Sequence, residues 1–505
     1  MKTPPPILIV GAGPTGLVLA LFLRRHGVPF RIVDQARGPG EQSRALAVHA
    51  RTLEFYRQLS LADRAVAAGT VIEDIRMREG GADVAQVSLA GMGGAMSPYP
   101  FILCLPQDEH ERLLVDALAA EGVAVQWETR LTGLAQDAYG VTVTLSGLTG
   151  EERASFAWVA GCDGARSAVR EALGVPMEGG TYERLYYVAD VQPRAPMAPE
   201  LVLALERGGF ALSLPSRKGE NQRLIGFVPA GREADPTFAD VRDSAERLLG
   251  VEVAEVNWFS TYRVHHRVAA RFRDGRCFLL GDAGHLHSPV GGQGMNTGIG
   301  DAVNLSWKLA AVAKGRAPET LLDTYEAERI GFARALVATT DRAFQVIADP
   351  GLVGNVVRGF VMPTLFPAAT AFEGARHAIF RLISQIRIAY PKSALSEGRA
   401  GEVKGGDRLP WVAEADNFAP LASLVWQVHV FGDVPAAFAA AAETLGLSVH
   451  RFVWSDAAKA AGFAESAAYL VRPDGYVALA MGRPDEAALR GYAERRRLRF
   501  SSGSC

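Results

Sequence analysis

Apolar positions follow three different rhythms along the chain. At the start, "ILIV" (Ile7–Val10) is an unbroken apolar run, the signature of a strand covered on both faces of a parallel sheet. "LVLALFLRRHG" continues at helical spacing and stops at Gly27, and "PFRIVD" supplies the next strand. Residues 180–265 alternate instead: "RLYYVADVQ", "LVLALERGGFALSLPS" and "QRLIGFVPA" read as strands of an antiparallel sheet. In the last hundred residues "LVWQVHVFG", an alanine-rich helix and "LSVHRFVW" lead to "AAYLVRPDGYVALAMG", a hairpin turning on Asp474-Gly475. Between these regions, 346–399 reads as a helical linker that offers a face for a homodimer.

The chain has 505 residues, of which 49% are apolar, so a large core spread over several domains is expected. A formal net charge of −2 argues against a nucleic-acid surface. The run Arg495, Arg496, Arg497 and Arg499 reads as a solvated helix end. Cys104, Cys162, Cys277 and Cys505 form no CxxC and no zinc spacing, which suits a reducing cytoplasm without disulfides or structural metal. Gly11, Gly13, Pro14 and Gly16 interrupt the apolar stretch Ile7–Leu23, so neither a signal peptide nor a membrane span is expected. The reading is a cytoplasmic protein with no membrane partner.

Candidate chemistry begins between the first strand and helix. Gly11-Ala-Gly13-Pro-Thr-Gly16 is G-x-G-x-x-G, and the following strand ends on Asp34. Gly11 would permit the tight turn and Gly13 the approach of a pyrophosphate. Gly16 would allow close helix packing, and Asp34 would accept from ribose hydroxyls. An acid there favours an unphosphorylated ribose, hence NAD or FAD. No second G-x-G-x-x-G follows, so one tightly held dinucleotide is expected.

Two more strand ends deliver polar loops. "WVAGCDGARSAVREALG" (158–174) runs into Asp163-Gly164, and "RCFLLGDAGH" (276–285) into Gly281-Asp282. Ligands in open α/β sheets bind beyond such ends, so residues near 11, 163 and 282 are expected to share one crevice. Residues 281–300 then hold seven glycines before a helix expected to begin near Asn296 to Gly300.

These motifs, with "LLDTYEAER" (321–329) and "RIAYPKS" (387–393), resemble the single-component FAD-dependent aromatic hydroxylases related to p-hydroxybenzoate hydroxylase. The longer members, including phenol hydroxylase, the aromatic-polyketide hydroxylases and rifampicin monooxygenase, are the nearer likeness. The resemblance implies an α/β fold: a Rossmann-like FAD domain (1–179 and 266–345), a substrate sheet (180–265), the linker (346–399) and a thioredoxin-like domain (400–505). That last domain would have no dithiol role, since it lacks CxxC. The implied cofactor is FAD, with NADH or NADPH as transient co-substrate. Through a flavin C4a-hydroperoxide, one atom of O2 would pass to a phenolic or polycyclic aromatic substrate.

Carried onto this chain, the likeness gives the pyrophosphate to Gly11, Gly13, Pro14, Thr15 and Gly16 and the ribose to Asp34. Arg44, Gln107 and Asp163 would contact cofactor, and Gly281 and Asp282 the ribityl region. Pro289, Gly291, Gly292, Gly294, Met295 and Asn296 would form the flavin seat, where side chains would obstruct a flat ring. Phe210, Leu212, Leu214 and Phe227, with His287 and Pro289, are the substrate-side candidates. His285 and His287 form H-x-H without further ligands nearby, so no metal is assigned. No catalytic base is assigned to them or to His49, His265 or His266. Oxygen insertion beside a ketone, ring cleavage, and aromatic binding without turnover stay open as alternatives. The W-x-W-x-I-P segment of flavin halogenases is absent.

Overall fold

The computed structural model describes residues 7–41, 45–206, 209–229, 231–287, 290–348, 368, 370 and 372–500. Two of the expected site residues, Arg44 and Pro289, lie outside them, as does much of the expected linker.

The N-terminal pattern folds as a βαβ unit. Strand Ile7–Val10 pairs in parallel with Phe30–Val33 on one side and with Trp158–Gly161 on the other. Cys277–Leu279 and Arg273–Asp274 complete a sheet of five strands. Every side chain of Ile7–Val10 is buried because helices cover both faces, which is why the run carries no polar position. Helix Pro14–Arg25 opens with proline, which needs no N–H donor at that position, and ends where Gly27 adopts φ 63°. It packs against helices Gln293–Ala313 and Gln107–Ala120, and the largest apolar core lies among them.

The alternating region forms a sheet of eight strands. Its long centre pairs Met177–Pro193 with Val253–Ala269, and Asn221–Phe227, Gly209–Ser216 and Glu200–Glu206 follow in order. Two strands from much earlier in the chain, Asp74–Glu79 and Ala82–Ser88, extend it, an addition the sequence pattern did not reveal. The short strand His285–Leu286 joins its opposite edge by pairing with Arg267 and Val268, tying the sheet to the glycine-rich loop. One face buries Ala189, Val191, Ala204 and Leu224 under the amphipathic helix Phe238–Leu249. The other face turns toward the five-stranded domain.

The C-terminal part is a mixed sheet of six strands. Gln427–Phe431 pairs in parallel with Ser448–Phe452 and antiparallel with Ala468–Val471, which pairs antiparallel with Val477–Met481. Helices Ala436–Thr444 and Glu486–Arg496 lie against it. Among the described residues, no helix is long and apolar enough to cross a membrane.

Candidate flavin and substrate site

Three strand ends meet as the sequence pattern expects. Gly11, at φ +104°, lies so near the carbonyl of Cys162 that a Cβ there would fall 2.3 Å from the oxygen. A Cβ on Gly16 would fall 2.0 Å from the Gly11 carbonyl oxygen, so helix and turn touch backbone to backbone. Gly13 is different: at φ −73° its Cβ position has nothing within 4 Å. Space is therefore kept open at the helix N-terminus, where unpaired N–H groups favour an anion. Asp34 closes this end, its carboxylate accepting from the N–H groups of Ala12 (2.6 Å) and Ala36 (2.8 Å).

Asp163 caps the turn after its strand, accepting from the Val169 N–H at 3.1 Å. Burial raises its carboxyl above the usual range, against hydrogen bonds from Ser167 and Val169 that lower it. Gln107 accepts from the Ala45 N–H (3.1 Å) and donates to Glu111 (2.8 Å), while Glu111 also accepts from the Gly40 N–H (2.7 Å). The pair therefore holds the backbone of both Gly40 and Ala45 from one helix.

At the third strand end, Gly281, Gly298 and Thr15 converge. A Cβ on Gly298 would lie 2.3 Å from Thr15 Oγ1 and 3.0 Å from Gly281 Cα, so the two helices and the turn need glycine to come this close. Asp282 stands exposed on the turn Gly281–Ala283. The turn is held by a residue the sequence pattern did not single out. Asp301, wholly buried, accepts from the Gly281 N–H (3.0 Å) and His285 Nε2 (2.7 Å) on one oxygen, and from Arg329 Nε (2.6 Å) on the other. Burial alone would raise its carboxyl; Arg329 and His285 outweigh it and hold the carboxyl below the usual range. His285 is thereby committed to a carboxylate.

The glycine-rich loop turns into its helix through Gly291 and Gly292, at φ 78° and 61°. The helix begins at Gln293, one turn earlier than the sequence pattern indicates, so Gly294, Met295 and Asn296 lie in its first turn. Asn296 staples the loop to its surroundings. Its oxygen accepts from the His49 N–H (2.9 Å) and Thr52 Oγ1 (2.7 Å), and its amide donates to the carbonyls of Ala47 and Gly292 (2.9 Å each). What its side chain gives the site is rigidity. His287 lies against Gly294, its ring 3.3 Å from the Cβ position, and stacks parallel to His285 with centroids 6.1 Å apart.

The four sheet residues expected on the substrate side share a face. Strand register puts Phe210, Leu212 and Leu214 beside Phe227 and Arg223, and continues to Tyr186, Asp190 and Tyr262. Tyr186 sits at the centre of an aromatic cluster, with centroids 4.7 Å from Phe227, 5.7 Å from Tyr262 and 6.5 Å from Phe210. Phe210 and Phe227 also border a cavity of about 560 Å3, but its other lining, including Tyr187, Ala211, Ser244 and Leu248, belongs to the opposite side of the sheet beside helix Phe238–Leu249. Leu214 joins Leu46, Ala50 and Cys104 of the five-stranded domain in one apolar cluster. Between them, Arg223 and Asp190 form a buried two-point ion pair (2.8 and 2.7 Å).

The model of an FAD-binding domain family matches residues 5–340, two-thirds of the chain. The chain belongs to the FAD-dependent aromatic monooxygenases. It is 37% identical over 414 residues to 6-methylpretetramide 4-monooxygenase of Streptomyces rimosus, covering 79% of this chain and 72% of that one. It is 31% identical to tetracenomycin A2 monooxygenase-dioxygenase of Streptomyces glaucescens, covering 97% and 96%. The crystal structure of aklavinone-11 hydroxylase with FAD and aklavinone superposes with a TM-score of 0.78 at 26% identity, over 99% of each chain.

The residues of this monooxygenase fit FAD: Gly13 opens on unfilled space, and the buried Nδ1 of His49 beside the loop has no protein partner. A second buried network locks the C-terminal sheet to the flavin domain. Glu328 accepts from Arg472 (2.7 and 3.0 Å), Lys308 (2.8 Å), Asn304 (2.6 Å) and Ser393 (2.6 Å). Burial opposes its charge, but Arg472 and Lys308 hold its carboxyl far below the usual range. Arg472 also pairs with Asp474, which accepts from Trp307 Nε1 at 3.0 Å. Neighbouring Arg329 reaches Tyr390 (2.9 Å) as well as Asp301, so this network borders the one holding the turn Gly281–Ala283.

Proposed function

We propose that this monooxygenase hydroxylates a phenolic, polycyclic substrate held between the glycine-rich loop and the aromatic face of the large sheet, with NADH or NADPH as reductant. The observation carrying this reading is the register that lines up Tyr186, Phe210, Phe227 and Tyr262 on the face turned to the flavin domain. When bound, FAD supplies reduction by the nicotinamide and activation of O2. The chain's own work is positional. Asp34 and the open helix end at Gly13 hold the dinucleotide's ribose and phosphates, with Asp282 beside the linking chain. Loop residues Gly291 and Gly292 let a flat ring approach backbone, and the first-turn N–H groups of helix Gln293–Ala313 favour negative charge on its pyrimidine edge by about 0.3–1 kcal/mol. Phe210, Leu212, Leu214 and Phe227 exclude water from the reacting ring, which limits wasteful release of peroxide. His287 stands at the loop side of that space.

The strand order of the C-terminal sheet supports a thioredoxin-like unit that acts as a structural clamp, because its buried charges reach the flavin domain. A division into flavin domain (1–179, 266–345), substrate sheet (180–265), linker (346–399) and clamp (400–505) follows from this reading. A second reading is oxygen chemistry beyond simple hydroxylation, insertion beside a ketone or ring cleavage; a relative that matches nearly the whole chain carries dioxygenase beside monooxygenase in its name. The purified protein, loaded with FAD, is to be given NADH or NADPH, isotopically heavy O2 and a panel of phenols from one to four rings. Hydroxylation predicts nucleotide oxidation stimulated by a polycyclic phenol and a product with one labelled oxygen on an intact ring. One labelled oxygen inserted into a carbon–carbon bond beside a ketone, or an opened ring, would favour the second reading, and oxidation yielding only peroxide with every phenol would refute the first.

A further inference from the structure

Away from the flavin cleft, a cavity of about 230 Å3 opens where the ends of helices Pro14–Arg25 and Gln293–Ala313 meet the C-terminal sheet. Trp307, in its wall, lies 14 residues beyond Gln293, roughly 21 Å along the helix at 1.5 Å per residue. The cavity therefore belongs to neither the glycine-rich loop nor the aromatic wall.

Its lining is lopsided in charge. Arg25, His26, Lys314, Arg316 and Arg499 contribute basic groups, and no carboxylate lines it. Glu121 pairs with Arg25 at 2.9 Å, but from outside the lining. Cations near helix C-termini offset the carbonyl dipoles there, and Lys314 does donate to the His26 carbonyl. That role does not account for Arg499, which comes from beyond the last helix of the other domain. Nor does it account for His26 Nε2, buried in this wall without a hydrogen-bond partner. Burial and the charges of Lys314 and Arg316 push the His26 imidazole down to about 3, so it stands neutral among cations.

The remaining wall is mainly apolar and includes Trp307, Trp426 and Phe500. Trp426 meets Trp307 edge to face with centroids 5.5 Å apart and lies 5.3 Å from Phe500. Like-charged groups gathered around a concave apolar wall that includes aromatic rings are stabilised by an anion with an apolar ring, which gains both charge-assisted hydrogen bonds and buried area. A dry cavity of about 150 Å3 already admits benzene, so the volume suits one or two fused rings with an anionic group.

We propose that this interdomain cavity is a second small-molecule site, taking an aromatic anion, a ring bearing a carboxylate or phosphate, and that its occupation tightens the C-terminal sheet onto the flavin domain. The probes are phenylphosphate and benzoate, compared with benzamide and inorganic phosphate, by calorimetry on the FAD-loaded protein. Phenylphosphate and benzoate are expected to bind at least tenfold more tightly than either control, to change tryptophan emission, and to leave the visible flavin band unaltered. The double variant Lys314→Gln, Arg499→Gln should lose at least tenfold in affinity while keeping its FAD content and basal nucleotide oxidation. Inorganic phosphate binding as tightly as phenylphosphate would reduce the site to a surface attraction for anions and overturn the proposal. So would binding that shifts the flavin band and is untouched by the double variant, because the ligand would then occupy the flavin cleft. A double variant with normal FAD content and unchanged phenylphosphate affinity overturns it as well.

Discussion

Asp301→Asn removes the charge that organises the turn Gly281–Ala283. Three groups converge on that carboxylate within 3.0 Å, and it and Arg329 are each no more than 2% exposed. Removing one member of a buried ion pair typically costs about 3–5 kcal/mol, because the remaining charge is left desolvated. Asparagine keeps one accepting oxygen and Arg329 keeps the Thr297 carbonyl and Tyr390, so the lower end, about 3 kcal/mol, is expected. That is roughly two powers of ten in the folding equilibrium. The carboxyl is held below its ordinary range, so its contribution is present at neutral pH and lost as pH falls through the depressed value. In the variant it is missing at every pH. Urea unfolding of the apoprotein, followed by tryptophan emission, measures the loss, and FAD release from the loaded protein measures its effect on the site. Arg329→Met should cost a similar amount, and the double variant less than the sum, since no uncompensated charge remains. A single-variant cost under about 1 kcal/mol, or strict additivity, would refute the reasoning.

Four further outcomes follow from the same geometry. Gly298→Ala places a methyl against Thr15 Oγ1 and Gly281 Cα, so FAD affinity should fall at least tenfold by fluorescence titration, with overpacking costing about 1–3 kcal/mol. Glu328→Gln leaves Lys308 without a carboxylate, while Arg472 keeps Asp474, and should cost about 3 kcal/mol, seen as faster limited proteolysis between the flavin domain and the C-terminal sheet. His429, buried against Phe452, is pushed by burial down to about 3. The unfolded chain binds its proton near pH 6.5 and the folded one only near 3, so stability should fall by up to about 1.4 kcal/mol per pH unit across that window, and His429→Gln should flatten the slope. Phe227→Ala should leave FAD binding unchanged but raise the peroxide released per nucleotide oxidised, read by a coupled peroxide assay.

The sequence discloses what is local. The run Ile7–Val10, the spacing of Gly11, Gly13 and Gly16, and the acid at Asp34 lie within one βαβ unit, so period and turn chemistry suffice to read them. The shared face of Phe210, Leu212 and Leu214 follows from strand alternation in the same way. What escapes is set by contacts between distant parts of the chain. Asp301 and Glu328 look like ordinary charged positions on helices until Arg329, Arg472 and Lys308 arrive from elsewhere. The four hydrogen bonds that tie Asn296 to Ala47, His49, Thr52 and Gly292 are likewise hidden, since three of those partners lie on another segment. The addition of Asp74–Glu79 to the sheet is equally invisible, since its partner strand begins more than a hundred residues later.

Gly13 offers the most direct test that the chain holds FAD as proposed. Its φ is acceptable to alanine and its Cβ position is empty, so the folded apoprotein should tolerate Gly13→Ala and still more bulk at Gly13→Val with little change in urea midpoint. If the FAD pyrophosphate occupies that space, FAD affinity measured by fluorescence titration should fall tenfold or more for alanine and further for valine. Variants that bind FAD as tightly as the parent chain, with the same apoprotein stability, would contradict the account, because the space kept open at the helix end would then hold no phosphate.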